Sequence, residues 1–226
     1  MSLPRPVEAV VFDMDGLLVD TETVFRDVMM EVSRRRGLHL PLEVFLRMVG
    51  LQSAASRAVA LDHFGPDFDH ESWIAEAWEL AHARMAVGVA VKAGVVELLD
   101  DLEAAGLPRA VATSSGHATV QRQLGPNGLL PRFQAVIAAG DYARGKPNPD
   151  PFLVAAARLG VNPAACLALE DSHNGVRAAH AAGMMTIMVP DLLEATEEMR
   201  GLCVAVTETL HGVRDLIAGK TGPDPL

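Results

Sequence analysis

The hydrophobic pattern divides the chain into three stretches. An apolar run over residues 7–12 is typical of a strand that is buried on both faces. Apolar residues then recur at helical spacing over residues 21–85, and no strand-like run interrupts them. From Val91 onward, short apolar runs alternate with amphipathic segments, two of which stop at Gly106 and Gly160. The pattern predicts a first strand, a helical block and then alternating strands and helices.

The predicted alternation of strands and helices implies right-handed crossovers and a mainly parallel sheet flanked by helices. We therefore predict an α/β fold. Its core domain comprises residues 1–18 and 90–226, and a small all-helical cap domain, residues 19–89, is inserted after the first strand. The predicted helices cover residues 21–36, 42–48, 53–63, 69–85, 94–105, 115–124, 149–159 and 174–182, and the later strands cover residues 109–112, 135–138, 166–169, 184–189 and 203–206.

Composition limits the function without identifying it. Of the 226 residues, 50% are hydrophobic, so the chain can bury a sizeable core. The net charge of −10 argues against a nucleic-acid-binding surface. No apolar run approaches the roughly 18 residues that span a membrane, and residues 1–6 do not resemble a signal peptide. We therefore expect a cytoplasmic monomer with no membrane or nucleic-acid partner, and a disordered TGPDPL tail.

Two carboxylates follow the first predicted strand. Asp13 and Asp15 come directly after the apolar run, and Gly16 then allows a sharp turn. In open α/β sheets, ligands bind outside the carboxyl ends of the strands. Two aspartates at a turn also have a simpler explanation, because Asp is a common turn residue. The pair therefore indicates a functional site only if other polar segments meet it.

Three later segments carry polar residues at corresponding positions. They are ATSSG with Thr113 at a strand end, GKPNP around Lys146, and LALEDS, which ends a strand at Glu170 and Asp171. Together with DMDGLLVDTE over residues 13–22, these motifs in this order resemble the haloacid dehalogenase superfamily. The resemblance is to its phosphatase and β-phosphoglucomutase-like branch with a helical cap. It implies a Rossmann-like core, a small phosphorylated substrate and phosphoryl-transfer chemistry.

Phosphoryl transfer through a covalent intermediate needs a nucleophile and a general acid-base, and the two aspartates suit these two roles. A carboxylate can act as a nucleophile and form an aspartyl-phosphate, and Asp13 at the strand end is the predicted nucleophile. Asp15 lies two residues on, on the same side of an extended segment. From there it can protonate the leaving oxygen and then deprotonate the attacking water. The family assigns these roles to the matching positions. An acid at position 15 argues against dehalogenation, because a halide leaving group needs no proton.

Phosphate oxygens need partners that supply positive charge or hydrogen bonds. Lys146 provides a point charge, and the Thr113 hydroxyl with the amides of Ser114 and Ser115 can bind an anion at a strand-to-helix turn. The same segment could also cap a helix. We predict Thr113 and Lys146 as catalytic residues, and we place Gly16, Ser114 and Ser115 with them in the phosphate-binding set.

A cation is expected because two acidic side chains would otherwise repel a phosphate dianion. Carboxylate oxygens suit Mg²⁺, which is bound through one or two carboxylates together with a substrate phosphate. No Cys and His cluster has zinc-ligand spacing. The resemblance implies that Asp13, the backbone carbonyl of Asp15 and Asp171 bind the metal directly, and that Glu170 acts through water.

The predicted reaction is hydrolysis of a small phosphorylated metabolite, a sugar phosphate by resemblance. The β-phosphoglucomutase pattern has a cap histidine where this chain has Phe25, and basic residues where it has Val49 and Ser53. These differences disfavour a phosphosugar mutase, which stays the alternative function. Arg47 and Arg84 are candidate cap cations. A non-catalytic binding protein on the same fold is a third possibility, because fold alone does not set function.

Overall fold

Six parallel strands form one sheet in the computed structural model, which describes residues 3–51 and 53–219. The strands are β1 (Ala9–Phe12), β2 (Arg109–Gly116), β3 (Ala135–Ala139), β4 (Cys166–Glu170), β5 (Met185–Met188) and β6 (Ala205–Val206). From edge to edge their order is β3-β2-β1-β4-β5-β6, and every neighbouring pair is parallel. All the carboxyl ends therefore point the same way. The predicted α/β fold with a parallel sheet is confirmed, whereas the TGPDPL tail lies outside the described residues.

Helices cover both faces of this sheet. Their bounds are α1 (Thr21–Arg35), α2 (Leu42–Met48), α3 (Ser53–Phe64), α4 (His70–Ala86), α5 (Val95–Ala104), α6 (His117–Leu124), α7 (Asp150–Leu159), α8 (His173–Ala181), α9 (Glu197–Leu202) and α10 (Leu210–Ile217). Phe12 of β1 belongs to one apolar cluster with Leu98 of α5. Val11 belongs to another cluster with Phe152 of α7. Successive residues of β1 therefore enter two cores, as expected for a parallel strand. Within the described residues, none of the helices has the length and apolar character needed to cross a membrane.

Helices α1 to α4 surround an apolar cluster of their own. Val32 of α1, Phe45 of α2 and Trp73 of α4 are among its buried members. Trp73 is fully buried, and its indole N–H donates a hydrogen bond to Ser33 Oγ at 3.0 Å. Its polar atom is thus satisfied inside the cluster. The helices predicted for this block are present, and its limits as a cap domain of residues 19–89 remain a prediction.

Two chain segments connect this helical block to the rest of the protein. They run side by side, because Val19 and Val91 form an antiparallel bridge. The Asp20 amide also donates a hydrogen bond to the Ala90 carbonyl at 2.9 Å. The block is therefore attached at one place by two mutually bonded segments, next to the start of α1.

The predicted boundary between β2 and α6 is wrong, and it lies at the candidate site. The sequence predicts a helix that begins at Ser115, whereas β2 continues to Gly116 and α6 begins at His117. The end of β2 still pairs with β3, where Gly116 lies opposite Ala139 after a register shift. Because this strand pairing keeps the backbone extended, the residues from Thr113 to Ser115 belong to the strand. The N-cap of α6 is Gly116 rather than any of these residues.

Candidate active site

The carboxyl ends of three adjacent strands place the predicted site residues side by side. Asp13 follows β1, Thr113 lies near the end of β2, and Glu170 is the last residue of β4. Since β1 lies between β2 and β4, all three residues reach the same edge of the sheet. Asp171 follows Glu170 directly, and all four residues are buried. Buried ionisable groups gathered at a strand-end crevice indicate a functional site.

Lys146 reaches this group from the loop between β3 and α7. Its ammonium group contacts Asp13 Oδ1 and lies 2.5 Å from Glu170 Oε1. Only 6% of the Lys146 side chain is exposed. Burial alone lowers the pKa of this ammonium group, but the carboxylates of Asp13 and Glu170 outweigh burial and raise the pKa above its usual value. Lys146 is therefore a fixed positive charge at the site.

Three carboxylates approach each other closely enough to hold a cation. One oxygen from each of Asp13, Glu170 and Asp171 lies within 4.8 Å of the others. Burial, together with the neighbouring carboxylates, outweighs Lys146 and raises the pKa of Asp13 and Asp171 well above the usual range. Asp171 Oδ1 is also buried and has no hydrogen-bond partner among the described residues. This donor set fits a divalent cation, which would supply the missing partner and offset the repulsion.

Glu170 is held in place by the segment that follows it. Its Oε2 accepts hydrogen bonds from the amides of Asp171 and Ser172, both at 3.1 Å, and from Ser172 Oγ at 3.0 Å. Gly175 in α8 lies against the same carboxylate, and a β-carbon at that position would collide with it. The orientation of Glu170 is therefore fixed on several sides, and its Oε1 is left to contact Lys146.

The Asp15 side chain accepts hydrogen bonds from β2 and is not part of the cluster of Asp13, Glu170 and Asp171. Its Oδ2 accepts hydrogen bonds from Ser115 Oγ at 2.8 Å and from Thr113 Oγ1 at 3.3 Å. Gly16 follows with φ of 81°, and a β-carbon there would collide with Asp171 Oδ2. This turn therefore needs a glycine, because only glycine combines the left-handed backbone with such a close approach. The turn also places the backbone at Gly16 directly against Asp171.

A cavity of about 730 Å³ lies between the helical block and the sheet. Asp15, Ser114 and Ser115 line it from the sheet side, and Phe25 of α1 lines it from the helical side. Small-molecule sites typically measure roughly 300–1,000 Å³. The cavity is therefore large enough for a metabolite. It reaches the strand ends through Asp15, Ser114 and Ser115, whereas Asp13 and Lys146 are not among its lining residues.

The candidate cap cations do not line this cavity. Arg47 and Arg84 form ion pairs with carboxylates of α3 and α1, respectively. Arg57 and Arg122 line the cavity instead. Sequence reasoning missed both residues because an arginine on an amphipathic helix is usually a solvated surface group. Nothing in the local sequence marks either arginine as different.

Glu22 in the first turn of α1 also lines the cavity. Burial, followed by the nearby carboxylates of Asp15, Asp191 and Asp20, raises the pKa of Glu22 from 4.5 to about 7. The folded protein therefore favours the protonated form of this carboxyl. Its contribution to stability is largest at low pH and falls as the pH rises from about 4.5 to about 7.

Replacing Glu22 with Gln should stabilise the metal-free protein at high pH. Gln has the size of the protonated acid and avoids the cost of a buried carboxylate. We expect urea unfolding with chelator present to give an unfolding free energy higher by about 1–3 kcal/mol near pH 8, and little change near pH 4. Glu43→Gln in the first turn of α2 is the control, because Glu43 is exposed. An equal gain at both pH values would contradict the expectation.

Comparison with known proteins identifies relatives over most of the chain. Residues 10–189 match the family model described as haloacid dehalogenase-like hydrolase. Hexitol phosphatase A of Escherichia coli (strain K12) is 35% identical over 181 residues, which are 79% of this chain and 81% of that protein. Fructose-1-phosphate phosphatase YqaB of the same organism is 32% identical over 181 residues, which are 79% of this chain and 94% of that protein.

A solved structure has a very similar fold. The crystal structure of a HAD family hydrolase from Deinococcus radiodurans R1 has a TM-score of 0.81 and 29% sequence identity. The match covers 95% of this chain and 96% of that chain. That crystal structure contains bound phosphate and sodium.

Proposed function

The chain belongs to the haloacid dehalogenase-like hydrolases, and we propose that it is a Mg²⁺-dependent phosphatase acting on a small phosphorylated metabolite. The observation that carries this proposal is the buried contact of Asp13 with Lys146 beside the carboxylates of Glu170 and Asp171. Asp15 lies next to this group in the wall of a metabolite-sized cavity. One relative is named hexitol phosphatase A and another fructose-1-phosphate phosphatase, which favours a sugar phosphate as substrate.

The proposed reaction has two steps at one phosphorus atom. In the first step, the Asp13 carboxylate attacks phosphorus and the bond to the leaving oxygen breaks, which gives an aspartyl-phosphate and an alcohol. Asp15 protonates that oxygen, and the hydroxyls of Ser115 and Thr113 hold its carboxyl in position. In the second step, Asp15 accepts a proton from water as the water attacks phosphorus. Phosphate leaves and the Asp13 carboxylate is restored.

Positive charge at the site is proposed to come from Lys146 and Mg²⁺. Lys146 already contacts Asp13, so its ammonium group is close to any phosphoryl group that Asp13 carries. Asp13, Asp171 and the backbone carbonyl of Asp15 would hold Mg²⁺ directly, with Glu170 acting through water. When bound, Mg²⁺ would neutralise charge on the transferring phosphoryl group.

The remaining phosphate contacts are assigned to the end of β2 and to the turn after β1. Ser114 lines the cavity directly, and its amide is a proposed donor to phosphate oxygens. Gly16 is proposed to let the backbone approach the phosphate closely, since its own amide donates to the Val19 carbonyl at 2.9 Å. The Ser115 amide donates to Thr113 Oγ1 at 3.0 Å in the free protein. Phosphate binding at Thr113 and Ser115 would therefore exchange this internal hydrogen bond, and the bonds to Asp15, for contacts with the ligand.

The phosphosugar mutase is disfavoured by the composition of the cavity wall. A mutase must exclude water and hold an intermediate that carries two phosphates. Phe25, Val49 and Ser53 all line the cavity, at the positions where the mutase pattern has a histidine or basic residues. A second phosphate would meet no positive charge from these three side chains.

Phosphate release from a panel of phosphorylated sugars, nucleotides and aryl phosphates tests the proposal. With Mg²⁺ we expect release, and with chelator we expect a loss of about 100-fold or more, because the phosphoryl charge is no longer neutralised. Asp171→Asn should lose the response to Mg²⁺, whereas Asp62→Asn, at an exposed carboxylate of α3, should keep it. Conversion of β-glucose 1-phosphate to glucose 6-phosphate with little free phosphate would instead establish the mutase.

A further inference from the structure

Three buried polar side chains around the cavity have atoms that lack a hydrogen-bond partner in the described part of the chain. These atoms are Thr21 Oγ1, both ring nitrogens of His70, and Gln123 Oε1. The exposed fractions of the three residues are 4%, 6% and 4%. Buried polar groups in native proteins are nearly always hydrogen bonded. These atoms are themselves buried, so several unpaired groups around one cavity point to a ligand that pairs with them after their side chains rotate toward it.

His70 and Gln123 lie on different walls of the cavity. His70 is the first residue of α4 in the helical block, and Gln123 is in α6, which packs on the sheet. Gln123 Nε2 lies 3.7 Å from the Met85 sulfur, which is a weak acceptor. His70 Nδ1 lies 3.5 Å from a Glu71 carboxylate that is 78% exposed, so water screens this contact. Among residues 3–51 and 53–219, neither side chain has a strong partner that a ligand would need to displace.

The chemistry of these two side chains favours hydroxyl groups as ligands. A carboxamide and an imidazole can each donate and accept hydrogen bonds, and a hydroxyl group can do both in return. The unpaired Gln123 Oε1 can only accept, so it needs a ligand atom that carries a proton. A neutral alcohol meets this requirement, whereas a carboxylate or a second phosphate does not.

The charges that line the cavity disfavour a second anionic group. Asp15, Glu22 and Glu71 contribute carboxyl groups to the wall. Arg57 lies 3.6 Å from Glu71, and Arg122 donates to a threonine of its own helix at 3.1 Å. Arg57 is thus paired with a carboxylate, whereas the partner of Arg122 is a neutral hydroxyl. Among these lining residues, a second negative charge on the substrate would meet Arg122 as the cation without a carboxylate partner, and it would be repelled by Asp15 and Glu71.

The apolar part of the wall contains two aromatic rings. The rings of Phe25 and Trp78 lie with their centroids 4.4 Å apart and an angle of 35° between their planes. Both residues line the cavity, together with Met29 and Ile74. Such a surface suits the carbon face of a ligand, while the polar groups of His70 fix its hydroxyls.

We propose that the cavity binds a neutral, polyhydroxylated leaving group of hexose size or larger, and that His70 and Gln123 select it by hydrogen bonding to its hydroxyls. The inference rests on the proposed phosphatase, in which the single phosphate lies at Asp13. It adds the neutrality and the minimum size of the alcohol, and the two residues that determine specificity.

Gln123→Leu and His70→Leu test the selection, with glucose 6-phosphate and sorbitol 6-phosphate compared against phenyl phosphate. We expect kcat/KM for the two hydroxylated esters to fall about 10- to 100-fold in each variant, mostly through KM. The loss for phenyl phosphate, whose leaving group offers no further hydroxyl, should be several-fold smaller. Gln121→Leu is the control, because Gln121 is an exposed residue of the same helix. An equal loss for all three esters, or no loss in either variant, would overturn the inference.

Binding separates this inference from the function on which it rests. Calorimetric titration with glucose 6-phosphate would use the Asp13→Asn protein with Mg²⁺, alone and combined with Gln123→Leu. Binding that is about tenfold weaker in the combined variant would support the subsite even if the wild-type protein releases no phosphate. Equal binding would overturn the subsite even if phosphate release is observed.

Discussion

Replacing Asp13 with Asn is expected to lower kcat by about 10⁴-fold or more on every substrate. An amide cannot form the acyl phosphate, and the neighbouring carboxylate of Glu170 is held by Ser172 and Lys146. Asn is nearly the same size as Asp, and it removes a buried carboxyl group whose pKa is raised by its surroundings. The fold should therefore be retained. Phosphate release measures kcat, and the thermal midpoint checks the fold.

Asp27→Asn is a matched control for this variant. Asp27 is an exposed carboxylate of α1 that pairs with Arg26. We expect wild-type kcat from it. If Asp13→Asn kept an unchanged thermal midpoint and a kcat within about tenfold of the wild type, Asp13 would not be the nucleophile.

Replacing Asp15 with Asn is expected to reduce activity to an extent that depends on the leaving group. A general acid typically contributes about 10²–10⁴-fold, and it matters most when the departing alcohol is basic. The loss in the bond-breaking step should therefore be of this size for sugar phosphates and at least about tenfold smaller for nitrophenyl phosphate. The Asn oxygen can still accept from Ser115 Oγ, so the side chain should stay in place.

A series of substituted aryl and alkyl phosphates measures this dependence. The logarithm of kcat/KM should fall more steeply with the pKa of the leaving alcohol in the Asp15 variant than in the wild type. The wild type itself is the control, because both proteins are compared on the same esters. An equal loss across the series would show that Asp15 does not protonate the leaving group.

The strand-end part of the site could be predicted from the sequence because the apolar runs of β1 and β4 each stop at an acidic residue. The apolar run of β1 stops at Asp13, and that of β4 stops at Glu170, which is within one residue of the observed boundary. Parallel pairing then brings these ends to one edge of the sheet. The Lys146 contact with Asp13 could not be read from spacing, because the loop that carries Lys146 has no periodic pattern.

The end of β2 was harder to predict because its residues favour two structures. Thr and Ser are typical both of helix N-caps and of strand ends. The pairing of Gly116 with β3 decides between them, and that contact is between segments far apart in the sequence. A local pattern therefore placed the start of α6 two residues too early.

The cavity was beyond sequence reasoning because its wall combines side chains from separate helices. His70 starts a helix, where polar residues are ordinary, and Gln123 lies within an amphipathic one. Only the packing of α4 and α6 shows that both are buried without partners in the described residues. Gly175 is similar, since its need for glycine appears only when Glu170 lies against it.

Acid-quenched labelling of the Asp15→Asn variant tests the central claim most directly. With a labelled aryl phosphate, the first step needs little help from an acid, whereas attack by water still needs the missing base. The phosphorylated enzyme should therefore accumulate. We expect a burst of aryl alcohol equal to the enzyme concentration, with the phosphoryl label on the peptide that contains Asp13. A burst without label on the protein, or label on a different residue, would contradict an aspartyl-phosphate at Asp13.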